Sequence, residues 1–424
     1  MAIQDSLLCI ASISFDISIW EILHPLCAGA NIVIMEDNKD IDHIAHLINK
    51  FHVTAVHFVP SLLSLFLDIL NVSELNSIRC VITGGEKLNT KLRKRFQTLF
   101  KTTELYLAYG PSEASISVTH WNCNDSSCQD KTPIGKPISN TSIYILDERR
   151  KPVPIGAVGE IYIGGAGLAR GYLNRPELTA ERFVENPFVS EEDRVRGENL
   201  RLYRTGDLGR YLSDGNIEFL GRIDEQVKIR GYRIELGEIE SALNRCGEVN
   251  SSVVVARTAD EGNSSKGDHG GSGDKRLVAY VVPGDGLKSQ LVEQGKFRSS
   301  TGDEIGILGG EHYAEEVRGL KEGLGKILPE YMVPSAIVFM EKIPLTHNGK
   351  VDKKSLPAPD MDMVVAQQYV GPRDEIEQKL CEIWAEVLGL ERVGIHDNFF
   401  EIGGHSLLAT RVVSRIRAAY CIEL

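Results

Sequence analysis

Apolar and polar residues follow two different periods along the first half of the chain. The stretches 30–35 and 79–83 are short and rich in β-branched residues, as in buried strands. The stretches 41–51 and 90–100 instead carry apolar residues at helical spacing. Strands that alternate with helices in this way, up to about residue 220, are typical of an α/β fold.

Two later stretches, 260–274 and 284–310, are rich in glycine, serine and charged residues and show neither period. Segments of this composition bury too little apolar surface to offset the entropy lost on ordering. The intervening stretch 276–282 has strand character, so the fold resumes between them. We therefore predict one domain with flexible surface insertions near 260–274 and 284–310.

A proline-rich passage at 356–360, followed by polar residues, predicts an interdomain linker over 357–372. Beyond this linker, apolar residues recur at helical spacing and predict an amphipathic helix. These residues are Ile376, Leu380, Ile383, Trp384, Val387 and Leu388.

Length and charge narrow the class of protein. A chain of 424 residues, 42% of them hydrophobic, can form several domains with cores of their own. Its net charge of −12 argues against nucleic acid or an anionic membrane as a partner. The eight cysteines show no metal-type pairing, and no signal segment or membrane-length apolar run is evident. We predict a cytoplasmic, soluble protein with reduced thiols.

Ser406 follows two glycines and a histidine and precedes a helix-like apolar stretch. A hydroxyl at the start of a helix lies beside open backbone N–H groups and the positive end of the helix dipole, which suits a phosphate ester. An ordinary N-cap serine after a glycine turn would look the same locally. The eleven residues 397–407 resemble the attachment site of an acyl or peptidyl carrier domain, whose serine carries 4′-phosphopantetheine.

Two segments upstream carry candidate chemistry. In 203–208, Asp207 follows a glycine turn, where its carboxylate could accept hydrogen bonds from vicinal hydroxyls such as those of ribose. A solvated turn aspartate would have the same sequence. The segment 221–240 is dense in alternating charge, with glycines that permit unusual backbone angles. A charged surface hairpin leading into a helix is the alternative.

Five further motifs occur in order with these two segments, at 15–21, 109–113, 159–173, 328–334 and 348–352. Together the seven motifs resemble the adenylation domain of a nonribosomal peptide synthetase. That domain belongs to the adenylate-forming superfamily, with acyl-CoA synthetases and luciferase. Because the carrier-type serine follows them, the resemblance covers essentially the whole chain.

The resemblance implies a fold of three parts. Residues 1–222 would be the remainder of an α/β adenylate-forming large subdomain, and residues 223–356 a smaller α+β C-terminal lid. After the linker at 357–372, residues 373–424 would form part of an all-α carrier helix bundle.

The resemblance also implies roles in binding ATP and in catalysis. In the family pattern Tyr109 stacks on adenine, Asp207 binds the ribose hydroxyls with Arg222 assisting, and Glu113 helps to hold Mg²⁺. Lys350 would be the catalytic cation that bridges the substrate carboxylate and the ribose or phosphate oxygens, a task that suits a flexible point charge. An exposed turn lysine after Asn-Gly is the alternative for Lys350.

Asp224 resembles the family hinge, about which the lid rotates between adenylation and thiolation. This rotation would withdraw Lys350 and bring the phosphopantetheine thiol on Ser406 to the adenylate. Lys228 and Gly231 would then lie near the pantetheine path. A plain loop at Asp224 is the alternative.

Asp16 would pair with the α-ammonium group of an amino acid, because a buried ammonium requires a carboxylate partner. A helix-starting aspartate, with Ser18 in a capping role, is the alternative. By family spacing, the residues lining the side-chain pocket would be Ile17, Trp20, Ser61, Ile82, Gly84, Ala108, Ile116 and Ser117. None is charged, so we expect an uncharged and mainly apolar substrate side chain, with room for an aromatic one beside Gly84 and Ala108.

Three features depart from the family pattern. The family's phosphate loop lies upstream of the motif at 15–21, and nothing in residues 1–14 matches it. Leu107 stands where the family usually has an asparagine that reads adenine. The chain ends at Leu424, soon after the helix that Ser406 would open, whereas a whole carrier has four helices. We therefore expect a fragment that lacks parts of both domains.

The resulting hypothesis is a ligase fragment that activates an amino acid as aminoacyl-AMP and transfers it to its own carrier. The implied cofactors are ATP, Mg²⁺ and 4′-phosphopantetheine. The implied partners are an amino acid, a phosphopantetheinyl transferase and other synthetase modules such as a condensation domain, without nucleic acid or membrane. Two alternatives remain: an acyl or aryl acid ligase fused to a carrier, against which Asp16 argues, and a catalytically inactive remnant or interaction fragment.

Overall fold

The computed structural model describes residues 1–35, 41–69, 75–125, 131–258, 275–293, 313–347, 350–357, 369–399, 402, 404, 406–420 and 422. The chain divides into two compact units, Met1–Asp224 and Glu225–Leu424, and each is described by itself.

The first unit begins with a mainly parallel sheet of seven strands in the order β2-β1-β3-β4-β5-β6-β7. The strands are β1 (Ser6–Cys9), β2 (Asn31–Ile34), β3 (Ala55–Phe58), β4 (Cys80–Gly84), β5 (Glu104–Tyr109), β6 (Thr119–Asn122) and β7 (Lys136–Pro137). The connecting helices are α1 (Ile17–Cys27), α2 (Ile41–Lys50), α3 (Pro60–Ile69) and α4 (Thr90–Leu99). Strands β1 to β5 run parallel, whereas β6 and β7 pair antiparallel. The predicted α/β class is confirmed.

An antiparallel sheet follows in the same unit. Its strands are β8 (Thr141–Leu146), β9 (Gly159–Gly165), β10 (Phe183–Glu185), β11 (Arg201–Tyr211) and β12 (Ile217–Arg222), with helices α5 (Pro176–Arg182) and α6 (Glu191–Arg196). The order is β10-β11-β9-β8, and β12 also pairs with β11. Alternate residues of β8 and β9, such as Ile143, Ile145, Ile161 and Ile163, face one buried cluster, as expected of a sheet with one covered face.

The second unit begins with a two-stranded hairpin, followed by a helix and a three-stranded sheet. The strands are β13 (Val227–Ile229), β14 (Tyr232–Ile234), β15 (Val249–Thr258), β16 (Lys275–Pro283) and β17 (Ala336–Phe339), and the helices are α7 (Leu236–Asn244), α8 (Asp285–Glu293) and α9 (Ala314–Gly325). Strand β16 pairs antiparallel with β15 and parallel with β17. One core cluster joins this sheet to α7 and α9.

Helix α8 corrects the predicted insertion at 284–310. Residues 285–293 are helical, and Leu287 and Leu291 are 6% and 0% exposed in the core of this unit. Their spacing of four residues places both on one helix face, so a short apolar stripe docks a segment that is otherwise polar. The rest of that stretch, and the predicted insertion at 260–274, lie outside the described residues.

Two helices of the second unit belong to the predicted carrier region: α10 (Glu375–Leu388) and α11 (Ser406–Tyr420). Asp374 caps α10 by accepting the Glu377 N–H at 2.8 Å, as expected of an aspartate N-cap. The predicted apolar stripe is seen in Ile383 and Val387, which pack with Val412 of α11. Within the described residues, no helix is both long and apolar enough to cross a membrane.

Asp5 ties the first strand to its neighbours. It is 3% exposed and accepts hydrogen bonds from the Thr54 hydroxyl at 2.8 Å, the Ala2 N–H at 2.7 Å and the Arg79 guanidinium. Burial alone would raise its pKa, but these hydrogen bonds and the Arg79 charge lower it from 3.8 to about 2. The ionised form of Asp5 is therefore the one that stabilises the fold.

Changing Asp5→Asn is expected to lower the free energy of unfolding at neutral pH by about 1 kcal/mol, since the exposed Arg79 partner is screened by water. In the unmodified chain this contribution is complete above about pH 4 and is lost as the pH falls towards about 2. Urea unfolding at several pH values measures it. The exposed-pair variant Asp68→Asn serves as the control, and an unaltered pH slope in Asp5→Asn would refute the assignment.

Candidate functional site

Three side chains from distant segments meet in the first unit. The Tyr109 hydroxyl donates to Asp207 Oδ2 at 2.5 Å, although the two residues lie 98 positions apart. Arg222 Nη1 donates to Asp207 Oδ1 at 2.6 Å. Burial, followed by the charge of Asp207 and the hydrogen bond to it, raises the pKa of Tyr109 well above 10.0. The phenol thus stays a donor, with its ring half-buried at the end of β5.

Arg222 also joins this cluster to the predicted hinge. Its Nε donates to Asp224 Oδ1 at 2.5 Å and its Nη2 to Asp224 Oδ2 at 2.7 Å. Such a two-point contact fixes the plane of the guanidinium. Arg222 therefore links Asp207 to Asp224, the last residue of the first unit.

A carboxylate that the sequence analysis did not assign shapes the turn before Asp207. The pairing of β11 with β9 shifts register directly after Arg204, and Gly206 has a φ of 75°, which favours glycine. Glu160 Oε1 accepts the Gly206 N–H and Arg204 Nε, both at 3.0 Å. Thr205 Oγ1 accepts the Asp207 N–H at 2.9 Å. Asp207, the residue predicted to bind the ribose hydroxyls, therefore projects from a bulge in β11. Glu160 holds this bulge against β9.

Glu113, the predicted Mg²⁺ ligand, lies in a 3₁₀ turn (Ser112–Ala114) after β5 and is 8% exposed. Its Oε1 accepts the Tyr172 hydroxyl at 2.7 Å. Burial is the largest cause that raises the pKa of Tyr172, and the hydrogen bonds with Tyr203 and Glu113 add to it. Tyr172, which the sequence analysis did not assign, thus orients the carboxylate as a neutral donor.

Asp16 directly precedes α1, but its side chain makes no capping hydrogen bond. Instead its carboxylate accepts the hydroxyl of Ser112, 96 positions away. The Ser18 hydroxyl donates to the Phe15 carbonyl at 2.7 Å. Asp16 is therefore held towards the 3₁₀ turn that carries Glu113.

The residues predicted to line the pocket lie on four elements of the first unit and just after its 3₁₀ turn. Ile17 and Trp20 are on α1, Ser61 on α3, Ile82 and Gly84 on β4, Ala108 on β5, and Ile116 and Ser117 just after the 3₁₀ turn. Ile116 has a φ of 77°, rare for a β-branched residue. The buried Oγ atoms of Ser61 and Ser117 have no hydrogen-bond partner among the described residues. Both would suit a polar ligand atom.

The structure gives a further reason for a glycine at position 84. A Cβ built on Gly84 would lie 2.6 Å from the Ala108 carbonyl oxygen, and Ala108 is its partner across β4 and β5. The absent side chain therefore lets the two strands approach each other, and the room for a substrate beside Gly84 stays a prediction. Leu107, the departure from the family asparagine, is 4% exposed and packs in the sheet.

The remaining predicted residues belong to the second unit. The Lys350 side chain is exposed in a turn, where the Thr346 N–H donates to the Lys350 carbonyl at 2.6 Å; Asn348 and Gly349 lie outside the described residues. Lys228 is on β13, and Gly231 turns into β14 with a φ of 80°. Ser406 is the first residue of α11, the helix start expected from the sequence.

Asp207→Asn is expected to weaken ATP binding about 10- to 100-fold, because hydrogen bonds to a charged acceptor are stronger than neutral ones. The amide would also repel the Arg222 and Tyr109 donors if its nitrogen faced them. Calorimetric titration with ATP measures the effect, and Asp214→Asn, at an exposed turn beyond β11, is the control. Equal affinity in both variants would contradict the assignment.

Comparison with known proteins matches two families. Residues 1–173 match the family described as AMP-binding enzyme, and residues 378–424 match the family described as phosphopantetheine attachment site. The chain is 42% identical over 411 residues to malpibaldin synthetase of Mortierella alpina, covering 96% of this chain and 7% of that protein. It is 41% identical to gramicidin S synthase 2 of Aneurinibacillus migulanus, covering 99% of this chain and 8% of that protein.

A solved structure is also similar. Holo-PA1221, a nonribosomal peptide synthetase protein containing adenylation and carrier domains, superposes with a TM-score of 0.73 at 28% identity. The match covers 99% of this chain and 62% of that one. The chain spans only a small part of its curated relatives, 7% and 8% of the two synthetases above.

The residues fit the cofactors of these families, which are ATP, Mg²⁺ and 4′-phosphopantetheine. The cluster at Asp207 offers a carboxylate for hydroxyls, a ring for a base and a guanidinium for charge. Mg²⁺ is commonly held by one or two carboxylates plus phosphate oxygens, and Glu113 would supply one such carboxylate. Ser406 opens a helix, a position that suits a phosphate ester. The chain therefore combines an AMP-binding enzyme region with a phosphopantetheine attachment site, and it is similar in sequence to nonribosomal peptide synthetases.

Proposed function

We propose that the chain activates an α-amino acid with ATP and passes it to the phosphopantetheine on its own Ser406. The observation that carries this proposal is the cluster of Tyr109, Asp207 and Arg222 in the same unit as Asp16. One group binds a nucleotide and the other an ammonium, so a single unit offers sites for both reactants.

In the activation step, a carboxylate oxygen of the amino acid bonds to the α-phosphorus of ATP, and pyrophosphate leaves. Asp207 and Tyr109 hold the nucleoside, and Asp16 fixes the α-ammonium group. Lys350 offsets the charge that develops on the phosphorus oxygens, the interaction that most lowers such a barrier. When attached to Ser406, phosphopantetheine supplies a thiol on a long arm that holds the acyl group as a thioester.

Asp224 acts as the hinge in this proposal. This role is supported by the division of the chain into two compact units, which falls between Asp224 and Glu225. Arg222 joins Asp224 to Asp207, so a change in the contacts of Asp207 would reach the hinge residue through Arg222. Hinges of this kind commonly lie at element ends. Residues 1–222, 223–356 and 373–424 remain the proposed large subdomain, lid and carrier.

We expect a substrate with an uncharged and mainly apolar side chain, since the residues proposed to line its pocket carry no charge. The test is amino-acid-dependent exchange of pyrophosphate into ATP, with a panel of amino acids. It should use the native polypeptide, meaning the longest natural polypeptide that contains these residues. Exchange with an apolar amino acid supports the proposal. A charged amino acid as best substrate would exclude the pocket assignment, and no exchange at all would exclude the function.

Asp16→Asn separates amino acids from other acids. We expect the KM for the amino acid to rise about 10- to 100-fold, because a charged hydrogen bond to the ammonium group is lost. The KM for the same acid without its α-amino group should stay unchanged. Pyrophosphate exchange with both acids measures this, and a desamino acid preferred by the unmodified protein would favour an acyl or aryl acid ligase.

A further inference from the structure

Helix α1 carries a carboxylate that has no part in the reaction proposed above. Glu21 is fully buried, with 0% of its surface exposed. Its Oε2 accepts the N–H groups of Ile10 and Ala11, both at 2.9 Å, directly after β1. Removing a carboxylate from water is costly unless it is well partnered. Glu21 therefore fastens α1 to the end of β1.

The other oxygen of Glu21 faces a histidine. Glu21 Oε1 lies 3.4 Å from Nδ1 of His57 on β3, which is 7% exposed. Oε1 makes no hydrogen bond of good geometry among the described residues, so the two side chains are in close polar contact without such a bond. The Cys9 thiol is close as well: burial first, and then the Glu21 charge, raise the pKa of Cys9 to about 11. The pair is thus buried between α1, β1 and β3.

His57 in turn contacts the predicted pocket. Its ring meets the Trp20 ring edge-on, with centroids 6.4 Å apart and planes at 60°. Trp20 also stacks on His24, with centroids 4.9 Å apart. His57 is also the cross-strand partner of Ile82, another residue predicted to line the pocket. Such aromatic contacts are directional, so they fix the ring as well as burying it.

We propose that Glu21 and His57 form a positioning pair that sets the side-chain specificity of the amino-acid pocket. Glu21 holds the α1 segment that carries Asp16 and Ile17, and His57 fixes the ring of Trp20. Neither residue touches the substrate in this assignment. The inference rests on the proposed function, because it concerns the pocket of that same reaction.

The first test reads Trp20 without any substrate. With 5-fluorotryptophan in place of its three tryptophans, the chain gives fluorine resonances that single Trp→Phe variants assign. In Glu21→Leu, which matches the bulk but accepts no hydrogen bond, the Trp20 resonance should shift or broaden. The Trp121 and Trp384 resonances should stay in place. An unchanged Trp20 resonance in the folded variant would overturn the proposal.

His57→Gln provides a second variant that keeps the Glu21 anchor of α1 and a donor near Oε1, so the fold is retained. It removes the ring edge that faces Trp20, and the Trp20 resonance should move here too. Glu21→Gln keeps one acceptor oxygen for the Ile10 and Ala11 N–H groups and should therefore keep the Trp20 resonance of the unmodified chain. Glu104→Gln, at an exposed site on β5, is the matched control.

The second test uses pyrophosphate exchange in the native polypeptide. Glu21→Leu should raise the KM for the preferred amino acid about tenfold and leave the KM for ATP unchanged. The ratio of kcat/KM for the preferred amino acid to kcat/KM for other apolar amino acids should fall in this variant. A purely structural role would move both KM values together and would refute the proposal. If the unmodified protein shows no exchange, the proposed function fails. The Trp20 resonance still tests whether Glu21 and His57 position the Trp20 ring.

Discussion

Ser406→Ala should abolish attachment of phosphopantetheine. The unmodified chain, incubated with coenzyme A and a phosphopantetheinyl transferase, is expected to gain the mass of one phosphopantetheinyl group. The alanine variant should gain none, because the ester forms on the hydroxyl of the residue that opens α11. Intact-protein mass spectrometry measures the change.

Ser414→Ala is the matched control, since Ser414 lies in the same helix two turns further on. It should be modified as fully as the unmodified chain. Attachment of phosphopantetheine to the Ser406→Ala variant, or loss of attachment in Ser414→Ala alone, would show that the attachment site lies elsewhere.

Lys350→Ala should lower the rate of pyrophosphate exchange about 100- to 1,000-fold, the usual effect of removing one group that stabilises transition-state charge. The amino-acid and ATP affinities should change far less, because Lys350 acts mainly on charge that develops during the reaction. The loss should therefore appear in kcat.

Lys354→Ala tests whether position or charge alone matters. Lys354 is an exposed lysine four residues along the same segment, and its replacement should leave exchange unchanged. Equal losses of exchange rate in both variants would show that Lys350 acts only as one of several interchangeable surface cations.

Local patterns predicted the elements of this fold well where they were long. The stretches 41–51 and 90–100 form α2 and α4, and the stripe from Ile376 to Leu388 forms α10. Helix α8 escaped prediction because two leucines within nine residues make too weak a period beside so many polar neighbours. Its position depends on burial of Leu287 and Leu291 against the core, which sequence alone does not reveal.

The candidate site, like the fold, could be predicted from the sequence only in part. Tyr109 and Asp207 were found through their motifs, but their hydrogen bond spans 98 positions and has no local signal. Glu160 lies within the motif at 159–173, yet only the register shift of β11 reveals that it holds the turn before Asp207. Glu21 likewise lies within the motif at 15–21, where its burial could not be read. Motifs indicated the candidate site residues, whereas the residues that orient them could be recognised only in the structure.

The central claim is that an amino acid activated in the first unit is loaded on Ser406 of the second. Its most direct test is the intact mass of the phosphopantetheine-bearing native polypeptide after incubation with ATP, Mg²⁺ and a panel of amino acids. The account predicts an added mass equal to one aminoacyl group with an uncharged side chain. Hydroxylamine should release this mass, and the Lys350→Ala variant should not gain it. A protein that carries phosphopantetheine but gains no acyl group from any amino acid would contradict it.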